Sequence, residues 1–385
     1  MKVRVLQSFP HKIGAARICT TAWHQASGVA AAGGDVTVLT GVVDRPLPPN
    51  VRVRTTLARG RWRIPYSAIG QLRALALHDR IVARSLPKLA GSIDVVHVWP
   101  LAAVQTLKAA RRLGIPTVLE RPNAHTRFAY EVVAQECDRL GVMLPADQEH
   151  AYNAVKLRME EEEYNLADYL LCPSDFVLRT FVDQGFAPEK LIRHSYGYDE
   201  TRYHANGGSP ESDRGLAALF VGLAAVRKGL HFALEAWLRS PASATGTFTI
   251  AGTILPDYER KLAPMLAHPS VRVLGHRNDV PELMAHNDIL LLPSIEEGAA
   301  LVCMEAVGCG CVPVVSDTCA GISVDGNALV HPVGDVEALA RDITTLHEDR
   351  ELLATMRAAC LRVAPELTWT KAGERLLEVY EEVAT

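Results

Sequence analysis

Glu297 and Glu305 stand with seven residues between them in the stretch LLLPSIEEGAALVCMEAVGCGCVPVV, Leu290 to Val315. A carboxylate pair at that spacing flanks one helix end if the intervening segment is helical, because helix side chains lean back toward the N-terminus. The sequence predicts such a helix from about Ala299 to Val307. An apolar run ending at Leu292 reads as a buried strand before it, Pro293 and Ser294 stop that strand, Gly308 and Gly310 end the helix, and Val312 to Val315 start another strand. The unit is strand–loop–helix–strand, and its loop lies at the carboxyl end of a strand, where open α/β sheets bind ligands. The backbone amides of Gly298, Ala299, Ala300, Leu301 and Val302 fall at the loop and helix start and would face an anion. Carboxylates beside a bound phosphate are useful for gripping hydroxyls, so the chemistry implied is recognition of a sugar or ribose joined to phosphate. The plain alternative is a helix N-terminus with two unrelated glutamates.

The pattern Ser-x-Glu-Glu-Gly-Ala-Ala-Leu-Val-x-x-Glu-Ala-x-x-x-Gly-x-x-Pro-Val-Val, beginning at Ser294, resembles the donor-site signature of the retaining GT-B glycosyltransferases of the family-4-like group. The family usually has Gly-Phe-Gly after the first glutamate, whereas here Gly298 is followed by Ala299 and Ala300. The resemblance implies an α/β chain with two Rossmann-like domains facing across a cleft. It places an acceptor-binding domain at 1–200, a nucleotide-sugar donor-binding domain at 201–365, and a helix at 366–385 that packs back on the first.

Cations for the phosphates come from a second loop. Ala217 to Val221 reads as a buried strand, Gly222 to Gly229 (GLAAVRKG) as its loop, and Leu230 to Leu238 as an amphipathic helix. Arg227 and Lys228 therefore sit at a strand's carboxyl end, where they would neutralise a leaving diphosphate. The family usually adds an arginine just after the glycine; here that residue is Leu223. Gly275 and Arg277 lie where the family borders the nucleobase. In the first half, Val3 to Ser8 is a strand, His11 to Arg17 a loop, Ile18 to Ala32 a helix and Val36 to Thr40 the next strand. Gly14 and Ala15 match the family's glycine-rich loop, though a tight turn explains one glycine equally well. His125, in RPNAHT after the strand Thr117 to Glu120, takes the place of the family's sugar-facing histidine; the alternative is a histidine capping the next helix. Arg121 and Asn123 are neighbours that could touch the acceptor. The run Glu160 to Glu163, on a helix from Tyr152 to Leu166, reads as a solvated face, and which of the four points inward stays open.

Composition bounds these readings. With 385 residues the chain accommodates two domains of ordinary size, and its formal charge of −4 gives no overall drive toward nucleic acid. The eight cysteines show no zinc spacing and read as small apolar side chains in a reducing cytosol. MKVRVLQSF reads as a strand rather than a signal peptide, and no apolar run is long enough to span a bilayer, so a cytoplasmic location is expected. Residues 52–88 carry nine Lys or Arg against the single acid Asp79, with Trp62 and Tyr66 interleaved. Anionic lipid, an anionic acceptor and plain solvent all suit such a stretch, so contact with the inner face of the membrane stays open. Asn206 to Arg214, rich in Gly and Ser, is the best linker signal.

The resemblance implies transfer of a sugar from a nucleotide-diphosphate sugar, UDP ahead of GDP, to an acceptor hydroxyl on a glycan, lipid-linked intermediate or small metabolite. The resemblance also implies that the donor's anomeric configuration is retained. On the same resemblance Lys228, Arg227, Glu297 and His125 are expected to carry catalysis, and Glu305, Gly298 to Val302, Gly275, Arg277, Gly14 and Gly222 to bind the donor. With no Asp-x-Asp motif, neither a metal nor another cofactor is expected. A sugar-phosphate synthase or phosphorylase of the same fold, or a silent nucleotide-sugar-binding protein, are the rival readings. No oligomeric state follows from the sequence.

Overall fold

The computed structural model describes residues 2–59, 62–64, 69–205 and 214–385. Asn206 to Asp213 of the expected linker, and Arg61 and Tyr66 of the basic stretch, lie outside them. The chain divides into two compact units. One comprises 1–126, 153–196 and 369–385; the other comprises 127–152 and 197–368.

The first unit is built on strands β1 (Arg4–Ile13), β2 (Asp35–Val43), β3 (Arg52–Thr55), β6 (Val95–Val98), β7 (Thr117–Glu120), β8 (Tyr169–Cys172) and β9 (Leu191–Arg193), with a small hairpin of β4 (Ala58–Arg59) and β5 (Trp62–Arg63) beside it. The sheet order is β3-β2-β1-β6-β7-β8-β9, and every pair is parallel. Successive side chains in a strand point to opposite faces, and here both faces are buried. Val5, Val38, Val95, Val118 and Leu171 enter one core, while Leu6, Leu39, Val96, Leu119 and Leu170 enter the other. That requirement is why the strands read as continuous apolar runs.

β1 extends to Ile13, well into the segment expected as loop. Its pairing with β2 jumps from Phe9 opposite Thr40 to Lys12 opposite Val42, so Pro10 and His11 share one partner. The bulge accommodates Pro10, which has no N–H to give the ladder. The turn proper is left to Gly14, at φ 85°, where a Cβ would stand 2.3 Å from the Arg45 Cβ. Gly14 is therefore required by local backbone geometry. The helix that was expected from Tyr152 begins at Ala154, where the Asn153 side chain accepts from the Val155 and Lys156 amides.

The last helix, Trp369–Val383, packs on Ile18–Ala31 within this unit. Two contacts fix it. Gly28 and Gly373 meet backbone to backbone, and the Tyr380 hydroxyl lies 2.6 Å from His97 Nδ1. His97 Nε2 in turn lies 3.2 Å from the fully buried Glu120, which also accepts from His194 Nε2 at 2.9 Å, Tyr196 at 2.8 Å and Gln25 at 2.7 Å.

The second unit carries β10 (Ala217–Val221), β11 (Thr247–Ala251), β12 (Val271–Gly275), β13 (Ile289–Leu292), β14 (Val312–Ser316) and β15 (Leu329–His331) in the order β12-β11-β10-β13-β14-β15, again all parallel. β15 ends at His331, where the sequence suggested a strand from His331 to Val333. Cys303, Cys309, Cys311, Cys319 and Cys360 are packed in its apolar core. The order reverses between β10 and β13, so the loops after these two strands diverge from a crevice at their carboxyl ends.

The glycine contact gives a stability prediction. A Cβ at Gly373 would stand 2.5 Å from the Gly28 carbonyl carbon, and relief requires separating two helices. Gly373→Ala should destabilise the folded chain by ~1–3 kcal/mol, even though alanine favours an isolated helix by ~1 kcal/mol. Urea unfolding would report this as a lower midpoint; a raised midpoint would mean the helices do not meet at this residue.

Candidate functional site

The two loops at the reversal point carry the residues singled out from sequence. After β10 come Gly222 and then Val226 to Lys228 in a single 3₁₀ turn, with Leu230–Arg239 helical beyond. After β13 come Pro293 to Ala300. The loops are locked together through backbone. The Ile295 amide donates to the Arg227 carbonyl at 2.9 Å, and at Gly229, φ 66°, a Cβ would collide with the Pro293 carbonyl oxygen at 1.9 Å. Only glycine meets both demands.

This lock brings two cations onto two buried carboxylates. Arg227 Nη1 donates to the Glu296 carbonyl at 2.7 Å and lies 3.2 Å from its Oε2 and 3.3 Å from Glu297 Oε1. Lys228 Nζ donates to Glu297 Oε1, which also accepts from Ser294 Oγ at 3.0 Å. Burial pushes the Glu297 carboxyl up, but Lys228 and Arg227 outweigh it and hold the group below its ordinary range. Burial works against the Arg227 charge too, and Glu297, Glu296 and Glu149 reverse that effect, so its pKa is raised. His150 Nε2 approaches Glu296 Oε2 at 3.0 Å.

The helix after the loop runs Leu301–Cys309, two residues later than the sequence suggested at its start. The reason is Ala300, which adopts the left-handed conformation at φ 44°, ψ 54°. The family's second glycine falls at this position, and the alanine here carries a strain of roughly 1–2 kcal/mol. The helix's first turn therefore presents the amides of Leu301 and Val302; the Cys303 amide bonds to the Ala300 carbonyl at 2.8 Å. Gly298 is buried and Ala299 half-buried in the loop.

Glu305 lies on the same helix and is hydrogen-bonded to the buried Tyr203, a partner the sequence gave no sign of. Burial raises its carboxyl from 4.5 to about 7, against the lowering effect of Tyr203 and Arg202. Gly275 ends β12 at φ 67°. Arg277 is exposed and engages Asp279, with Nε 2.7 Å from Oδ1.

His125 and Gly14 belong to the first unit. The His125 ring is enclosed by Tyr164, Phe181 and Phe186, with centroids 5.2, 5.0 and 5.9 Å away, and the residue is 3% exposed. Its amide donates to Thr180 Oγ1 at 3.0 Å. These are the surroundings of a core histidine. Arg121 is likewise enclosed, stacked 4.4 Å over the Tyr164 ring and paired to Glu160 at 3.1 Å. The glutamate run is also resolved. Glu163 is fully buried and accepts from the Leu101 and Ala103 amides at 2.8 and 2.9 Å, and Glu160 bonds Arg121 and Thr126. Glu162 pairs with Lys108 at the surface. The i, i+3 spacing of Glu160 and Glu163, shared with the inward Leu157 and Tyr164, was the available signal. Among the described residues no group of three or more His, Cys, Asp or Glu is arranged to hold a metal ion.

Two family models match successive parts of the chain. Residues 20–202 match the family described as Glycosyltransferase Family 4, and residues 216–349 match Glycosyl transferases group 1. The chain belongs to the group 1, family-4 glycosyltransferases. It is 33% identical over 125 residues to D-inositol 3-phosphate glycosyltransferase of Salinispora arenicola, covering 29% of this chain and 26% of that protein. It is 31% identical over 141 residues to the lipopolysaccharide glucosyltransferase WaaG of Escherichia coli, covering 36% of this chain and 37% of that one. The matches thus span well under half of either relative's length. The crystal structure of Anabaena HepE in complex with UDP is similar over 99% of this chain and 100% of that one, with a TM-score of 0.65 at 17% identity. The fold is GT-B.

The Glu305 environment has a measurable consequence. Between pH 4.5 and about 7 the folded chain keeps a proton on Glu305 that the unfolded chain has released. Stability therefore falls as pH rises through that window and levels off above it. Relative to Glu305→Gln, the melting temperature of the wild type should drop between about pH 4.5 and about pH 7. Parallel curves for the two proteins would show that Glu305 ionises normally.

Proposed function

We propose that this chain transfers a sugar from a nucleotide-diphosphate sugar to an acceptor hydroxyl, retaining the anomeric configuration and using no metal. The observation that carries the reading is the convergence of Lys228, Arg227, Glu297 and the helix start at Leu301 on one reversal point of the second sheet. The acceptor oxygen forms its bond to the anomeric carbon on the face the diphosphate leaves. The electron pair of the broken carbon–oxygen bond goes to the diphosphate, whose oxygen takes the acceptor proton. Negative charge grows on the leaving group, and Lys228, Arg227 and the Leu301 and Val302 amides are the groups placed to meet it. Glu297 binds the sugar hydroxyls, and Glu305 the ribose. Because Lys228 rests on Glu297, donor binding exchanges that contact for one to phosphate, which leaves Glu297 oxygens for the sugar.

UDP is the first nucleotide to test, since HepE was solved with it. Thermal shifts with UDP, GDP and ADP would rank the base, because a ligand of the native state raises apparent stability. The basic stretch bears on the acceptor. Helix Gln71–Leu89 exposes Arg73, Arg80, Arg84 and Lys88, and Trp62 on the neighbouring hairpin is exposed as well. These groups suit an anionic acceptor or the anionic inner face of a membrane, and a cytoplasmic site of action goes with that role. No helix among the described residues is long and apolar enough to cross a membrane.

Kinetics on three variants test the phosphate clamp. Lys228→Ala should lower kcat by ~10²–10³. Arg227→Ala should be at least as damaging, because it strips a partner from both Glu296 and Glu297 and opens the loop they hold. Leu223→Arg adds the family's charge at a partly exposed position and should keep or raise activity. Near-normal kcat in Lys228→Ala would place the clamp elsewhere.

A further inference from the structure

The candidate donor site has a contributor from a distant part of the chain. Residues 127–152 group with the second unit, although they are flanked in sequence by segments of the first. Near the end of that segment His150, with its side chain 9% exposed, points Nε2 at Glu296 Oε2, 3.0 Å away, and the Glu296 side chain is wholly buried. An ionised carboxylate only accepts, so Nε2 carries the proton and donates.

Acids outnumber cations around it. Arg227 and Lys228 face Glu296 and Glu297, Glu149 also acts on Arg227, and the position where the family resemblance expects another arginine holds Leu223. When Lys228 turns to a diphosphate, Glu297 keeps Ser294 and Arg227. Arg227 then has to serve Glu297, Glu296 and the incoming phosphate together. Glu296 can yield its share only if another donor stays on its carboxylate, since a buried carboxylate stripped of partners is strongly unfavourable. His150 is such a donor.

We infer that His150 is a positioning residue of the donor site: by holding the Glu296 carboxylate it frees Arg227 to turn toward the diphosphate. The inference rests on the proposed nucleotide-sugar reading and deepens it. It specifies that the dependence on His150 belongs to the phosphates of the ligand and not to its nucleoside.

Binding measurements on the intact chain separate the possibilities. Affinity would be measured for UDP and for uridine with the wild type, His150→Ala, His150→Gln and the double variant His150→Ala with Glu296→Gln. The expected result is a loss of about tenfold to hundredfold in UDP affinity for His150→Ala, with uridine affinity unchanged. His150→Gln, whose amide N–H can still donate, should recover most of the loss. The double variant should recover it as well, because an uncharged Glu296 side chain no longer needs the donor. Unchanged UDP affinity in His150→Ala would overturn the inference and leave the functional reading standing. So would equal losses for UDP and uridine, or no recovery in both the Gln and double variants, which together would mark His150 as a mere structural prop. A wild type that binds none of UDP, GDP or ADP would overturn both.

Discussion

The carboxylate of Glu296 is fully buried at the carboxyl end of β13, and the arrangement of the second unit's reversal point follows from holding that charge. Removing a carboxylate from water costs several kcal/mol unless close partners replace the lost hydration. Arg227 provides one partner and His150 another. Arg227 reaches Glu296 because the loop after β10 is pressed against the end of β13, and it can be pressed so closely only because residue 229 lacks a side chain. The same approach sets Lys228 on Glu297. A charge problem and a backbone contact thus have one solution, and that solution concentrates cationic groups at the carboxyl ends of β10 and β13.

The first unit solves a similar problem for a different end. Glu120 is also fully buried at a strand's carboxyl end, and His97, His194, Tyr196 and Gln25 converge on it. Here one partner extends to Tyr380 on the terminal helix, so the network fastens the chain's end to the sheet. Glu163 is the opposite case: burial outweighs the Leu101 and Ala103 amides that bond it and raises its carboxyl from 4.5 to about 8. Neither Glu296 nor Glu120 is marked in sequence as buried, because a glutamate looks the same whether solvent or protein solvates it, and Glu163 is marked only by sharing a helix face with Leu157 and Tyr164.

That limit explains what the sequence did and did not disclose. Parallel strands buried on both faces must be apolar throughout, so β1, β6, β7, β10, β13 and β14 were legible as runs. Arg227, Lys228, Glu297 and Glu305 were legible because their spacing is local to one loop or one helix. His150 and Tyr203 were not, since their partners lie 146 and 102 positions away in the chain and no periodicity links them. His125 followed a strand as expected, but its environment is set by Phe181 and Phe186 from a later helix and loop, which a local reading does not weigh. The late helix start at Ala300 was hidden for another reason: alanine is the strongest helix former, and only the tertiary position of the loop forces it into the left-handed region.

The pairing of Lys228 with Glu297 has a thermodynamic meaning for the proposed reaction. A lysine held in water by nothing would lose rotamer freedom when a phosphate captured it, and a lysine locked to a fixed carboxylate has already lost that freedom. What it gives up on binding is one charge-assisted contact, and what it gains is a contact to a group whose charge increases as the sugar–phosphate bond breaks. The exchange is close to even for the intact donor and favourable for the separating diphosphate. Interactions that strengthen only along the reaction coordinate accelerate the chemical step, whereas equally strong binding of donor and transition state does not. In the proposed reaction a self-paired clamp would therefore hold the intact donor loosely and the departing diphosphate tightly, with the charges its own fold already requires.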